Sequence, residues 1–207
     1  MHTIRQLPRP TRAPGAVLML IALAFAIAPT AQGAEIIPWG GVVRPARAVD
    51  GHVQYFGGLS FRTSLSGPLQ TEIGVALRRE HLADAVERYV WPVTASLWIA
   101  PHPVIYAGGG VGWYHTTLYR EDLPAAQAAK DAQAKQTGVP AEPLSEIETT
   151  EKFGAHVGGG LRVPMGGHAV LDLQGRYVFM SRKDLTGQET RFGPDFWMTS
   201  LGLGLRF

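Results

Sequence analysis

Between Trp197 and Phe207 the chain alternates. Trp197, Thr199, Leu201, Leu203, Leu205 and Phe207 fall on one side of an extended strand, and Met198, Ser200, Gly202, Gly204 and Arg206 on the other. A period of two marks a strand, because successive side chains leave opposite faces. Six segments upstream repeat it. Residues 169–181 set Leu171, Leu173, Tyr177 and Phe179 against Asp172, Gln174 and Arg176, and residues 151–163 set Phe153, Val157, Leu161 and Val163 against Lys152, His156 and Arg162. In 104–118, Ile105, Ala107, Val111 and Trp113 oppose Tyr106, Tyr114 and glycines, and in 88–99 Trp91, Val93, Leu97 and Ile99 oppose Thr94 and Ser96. In 70–80, Ile73, Val75 and Leu77 oppose Glu72, Gly74 and Arg78, and in 52–64 Tyr55, Leu59 and Phe61 oppose Gln54, Ser60 and Arg62. A first strand, about 35–44, has the weakest pattern, because Pro38 sits inside it. Proline belongs at a strand start, an edge or a bulge.

Eight alternating segments separated by turn residues suit a wall with lipid on one side and a crowded polar lumen on the other. The expected fold is all-β: an eight-stranded antiparallel up-and-down transmembrane β-barrel. The connections sort the same way. Ser66-Gly67-Pro68, Pro101-His102-Pro103 and Pro164-Met165-Gly166-Gly167 read as tight turns. They alternate with longer, more charged connections at about 45–51, 81–87, 119–149 and 182–193. Short periplasmic turns opposite longer outer loops are the expected asymmetry of such a barrel. A soluble β-sandwich has no reason to obey that parity. Within the longest connection, Pro124 to Gln136 is rich in Ala, Gln and Lys, with Gly138 beyond it, which predicts a short helix.

One apolar run interrupts the pattern. Ala16–Ala28 carries no charge, follows Arg5, Arg9 and Arg12, and ends at Pro29 before Ala31-Gln32-Gly33. This is the layout of a cleaved secretory signal, and the run is short for a spanning helix. Residues 1–33 are therefore expected to be a signal peptide and 34–207 the barrel domain. No cysteine is present, which excludes a disulfide framework and a thiolate metal site. A net charge of +2, scattered along the chain, argues against a nucleic-acid partner.

The candidate chemistry lies on the lumen face. Arg62, Arg78, Arg162, Arg176 and Arg206 face the same side as Glu72 and Asp172. An eight-stranded barrel is only wide enough for side chains to fill it, so these charges must pair. They form either a structural plug, with Arg176 held by an acid such as Asp172, or the selectivity ring of a channel. The glycine runs at 108–112 and 158–160 sit within strands rather than before a helix. They suit close packing under Tyr106 and Tyr114, not a phosphate loop. No G-x-S-x-G elbow is present, and neither His115 nor His156 has a serine at partner spacing on its own strand. No catalytic, cofactor or metal residue is assigned. Tyr89, Trp91, Trp113, Tyr114, Tyr119, Tyr177, Phe179, Phe196 and Trp197 lie near the outer strand ends, where an aromatic girdle is expected.

Four motifs carry a family likeness: Tyr106-Ala107-Gly108-Gly109-Gly110-Val111-Gly112, Gly154-Ala155-His156-Val157-Gly158-Gly159-Gly160-Leu161, Asp172-Leu173-Gln174-Gly175-Arg176-Tyr177 and Leu201-Gly202-Leu203-Gly204-Leu205-Arg206-Phe207. With them the mature chain resembles the OmpA/OmpX/OmpW-like outer-membrane β-barrel family. The resemblance implies export through the periplasm to the bacterial outer membrane, outer-membrane lipid as solvent, and an assembly machinery that reads the last strand, here Leu201, Leu203, Leu205 and Phe207. Members include anchors, adhesins, narrow channels and lipid-modifying enzymes, so the fold leaves the role open. A non-enzymatic structural or surface-interaction role with an extracellular partner is expected first, and a narrow porin-like channel for small or apolar solutes second. A lipid A-modifying enzyme ranks third, since the deacylase-type serine–histidine signature is missing from the C-terminal strands.

Overall fold

The computed structural model describes residues 33–46, 53–83, 86–120, 122–138, 143–181 and 195–207. The strands are β1 (Glu35–Pro45), β2 (Gln54–Ser66), β3 (Leu69–Ala83), β4 (Val86–His102), β5 (Ile105–Arg120), β6 (Ile147–Pro164), β7 (Ala169–Met180) and β8 (Phe196–Arg206). Each pairs antiparallel with the next, and β8 pairs with β1, so the sheet closes with no free edge. Closure gives every strand a partner on both sides, which is what lipid demands. At the seam Glu35 faces Arg206, and the Phe207 amide donates to the Ala34 carbonyl at 3.1 Å. Pro38 explains the weak first strand. The β1–β8 ladder is interrupted at Ile37 and Pro38 and resumes in the same register at Trp39, while Pro38 stays paired with Leu59 of β2.

The alternation places the faces as expected. Leu97, Ile99, Val111, Val157, Leu161, Leu201 and Leu203 are exposed on the outside, an apolar belt suited to lipid contact. Arg62, Glu72, His156, Arg162 and Asp172 are buried inside. The glycine runs leave room for rings. A Cβ on Gly160 would lie 2.5 Å from the Tyr106 hydroxyl, so a side chain there would evict the ring.

Three expectations need correction. The connection expected at 81–87 is mostly strand, because β3 continues to Ala83 and β4 begins at Val86. Strands β5 and β6 likewise run beyond the expected 104–118 and 151–163. Apolar periodicity ends where lipid ends, but a strand pair can continue into water because its ladder still satisfies both backbones. Finally, Tyr114 and Phe196 do not join an outer girdle. They share inward positions with Val43, Phe56, Val90 and Val178 in an apolar cluster inside the barrel. Trp91, Phe179 and Trp197 are exposed, and Tyr177 stacks edge-on between Phe179 and Trp197 at 4.7 and 4.6 Å.

The tight turns at Gly67 and Gly166 adopt φ of 53° and 88°, which explains glycine at both. At the opposite end, helix α1 (Leu123–Thr137) matches the predicted 124–136. Asp122 accepts the Ala125 amide at its start, and Gly138, at φ 69°, donates to Ala134 at its end. No residue of α1 is buried, so it stands outside the wall of the barrel.

Candidate functional site

The half of the lumen nearer the tight turns is filled by one polar network, built from cross-strand register. Arg62 and Glu72 are direct partners on β2 and β3, and Arg162 and Asp172 on β6 and β7. Arg62 donates through Nε and Nη2 to Glu72 Oε2 at 2.8 and 2.6 Å, and through Nη1 to Asp172 Oδ2 at 2.6 Å. Its guanidinium lies 4.5 Å from the centre of the Tyr106 ring, and the Tyr106 hydroxyl donates to Asp172 Oδ1 at 2.7 Å. Arg176 reaches across the barrel to Glu72 Oε1 and donates to Gln174 at 2.7 Å. The Trp98 indole donates to Glu72 Oε2 at 3.2 Å. Arg162 bonds Glu35, which also accepts from Arg206 at 2.6 Å. All eight strands contribute: Glu35, Arg62, Glu72, Trp98, Tyr106, Arg162, Asp172 with Arg176, and Arg206. Both carboxylate oxygens of Glu72 and of Asp172 are engaged, which offsets part of the heavy cost of burying them.

Of the residues expected in the lumen, the structure brings six into this network. Arg176 binds Glu72 rather than Asp172, because Arg62, Arg162 and Tyr106 already surround Asp172. Arg78 stands apart, in the half nearer α1. There it meets Glu80 at 2.5 Å, and Arg88 binds the same carboxylate. The sequence reading missed Glu35, Glu80, Arg88 and Trp98. Register accounts for three of them, since Glu35 faces both Arg62 and Arg206, and Glu80 and Arg88 face each other.

Two hydroxyl–imidazole pairs bear on catalysis. Ser96 Oγ and His156 Nε2 lie 2.9 Å apart across β4 and β6, but both residues are buried, and His156 Nδ1 has no hydrogen-bond partner to orient the ring. On the outer surface His115 sits between Glu151 at 3.2 Å and Thr117 at 3.4 Å. That order resembles a catalytic relay. Yet β5 is paired on both sides through this stretch, so its amides are committed to the ladders rather than free to stabilise an oxyanion. Among the described residues no group of three or more acidic, histidine or cysteine side chains is placed to hold a metal.

No family model matches this chain, and no curated protein does. Solved structures do. Ail, the attachment invasion locus protein of Yersinia pestis, solved with the heparin analogue sucrose octasulfate, aligns at 13% identity over 85% of this chain and 99% of its own, with a TM-score of 0.52. Neisserial surface protein A aligns at 12% identity over 84% of this chain and 97% of its own, with a TM-score of 0.55. A major outer membrane protein from Thermus thermophilus aligns at 12% identity over 84% of this chain and 99% of its own, with a TM-score of 0.55. The chain thus has the fold of the eight-stranded outer-membrane β-barrels.

Proposed function

We propose that the protein is a non-enzymatic barrel of the bacterial outer membrane, shut along its lumen, whose role is structural or lies in what its outer connections meet. The observation that carries this reading is the buried network to which every strand contributes a side chain. A conducting pore needs a continuous polar path lined by solvated groups, whereas these charges are desolvated and bonded to one another. Residues 1–33 serve as the export signal and are removed in this reading; residues 1–32 lie outside the described residues. The apolar belt faces outer-membrane lipid, the tight turns face the periplasm, and α1 faces outward.

Protease added to intact cells tests the location and the display together. Cleavage is expected in the connection carrying α1, near Lys130 or Lys135, while the turn at Pro164 stays protected. The reverse pattern, or cleavage only after the outer membrane is opened, would overturn it.

A further inference from the structure

The half of the lumen nearer α1 is built differently. Above the apolar cluster lies a cavity of about 80 Å³ with Tyr114, Phe196, Val90 and Met180 in its lining. Its polar wall carries Arg78, Arg88 and Lys152, with Glu80 between the two arginines. The Glu80 side chain is fully covered and serves both guanidiniums, so among the described residues one carboxylate answers two cations that are only 14% and 16% exposed. Glu148, which also lines the cavity, is bound by Arg120 at 2.8 Å. In the network at the turn end the cations also outnumber the carboxylates by one, but there Arg206 is 35% exposed and meets solvent. Here Arg78 and Arg88 are largely screened from bulk solvent and face a small cavity, where an incompletely balanced charge is costly.

We propose that this cavity binds a small organic anion, a carboxylate with a compact apolar body. Guanidinium forks match carboxylates in a bidentate manner, and Arg78 and Arg88 each have donors beyond those turned to Glu80. The Arg78 guanidinium lies over the Phe196 ring, 5.1 Å from its centre, so the charge is held against the aromatic floor. A carboxylate there would meet the forks while its apolar part rests on Tyr114 and Phe196. Volume limits the guest: at roughly 10–15 Å³ per enclosed water, the cavity holds about five to eight waters, the scale of an aromatic or short-chain acid. The network beneath closes the path onward, so the site binds rather than conducts.

The test is calorimetric titration of benzoate into the folded full-length barrel in detergent at neutral pH, with benzamide as the uncharged analogue. Benzoate is expected to bind saturably and benzamide at least tenfold more weakly. Glu80→Gln removes the internal competitor and should tighten benzoate at least tenfold. Arg88→Gln should abolish binding. If Glu80→Gln proves too unstable to titrate, benzoate should raise its unfolding temperature more than that of the unmodified protein. Equal affinity for benzoate and benzamide would reduce the site to a greasy cavity. Absence of saturable benzoate binding by the unmodified protein, with no benzoate-dependent stabilisation of Glu80→Gln, would overturn the proposal.

Discussion

Replacing Arg62 by alanine is expected to cost about 3–5 kcal/mol of stability, the penalty for removing one member of a buried ion pair and stranding its partner. Arg62 holds two carboxylates at once, Glu72 and Asp172, and lies against Tyr106. Without it Asp172 keeps Tyr106 and a distant Arg162 at 3.9 Å, and Glu72 keeps Arg176 and Trp98. The readout is the temperature at which the folded band converts to the unfolded band on gels of unboiled and boiled samples. Arg206→Ala is the contrast. Its side chain is 35% exposed and its partner Glu35 retains Arg162, so the loss should be much smaller. Equal, small effects of both substitutions would show that the network contributes little to holding the barrel shut.

Deleting Phe207 is expected to leave export intact and to block insertion. Leu201, Leu203, Leu205 and Phe207 present four exposed side chains to the lipid side of β8. The Phe207 amide bonds Ala34 at the strand where the barrel closes. The seam strands must pair correctly, since an unpaired edge is open to wrong partners. An aromatic at the interface anchors that strand, and the resemblance to outer-membrane barrels implies the expectation, which this deletion tests, that assembly reads it. The deletion should accumulate in the periplasm without the heat-modifiable form, and a charged tail appended after Phe207 should act likewise. Assembly of the deletion at normal levels under native expression would show that Phe207 is not read.

The outer face of this barrel was legible in the sequence, and the lumen only partly. Lipid accepts apolar groups alone, so Leu201, Leu203 and Leu205 declare their side at every second residue. The lumen asks for volume and charge balance, which a single strand does not reveal. Trp98 was hidden because Leu97, Trp98 and Ile99 are all apolar, so the period of two vanishes there, yet Trp98 is completely buried and bonded to Glu72. Arg88 fell in a stretch read as the border of a loop, where a strand continues beyond the lipid. Arg176 shares a face with Asp172 on its own strand, yet in so narrow a barrel it reaches Glu72 on a distant one. Glu35 is obscured in the sequence because Pro38 weakens the pattern of the first strand, although its cross-strand partners are Arg62 and Arg206.

The most direct measurement is single-channel recording of the purified, refolded protein in planar bilayers at neutral pH. A lumen shut by the Arg62–Glu72–Asp172–Arg176 network predicts a flat baseline, with no reproducible unitary steps from preparations whose gel shift shows a folded barrel. Stable unitary conductance from the unmodified protein, shifted in ion selectivity by Arg176→Ala without loss of thermal stability, would contradict it and make the same residues the lining of a pore.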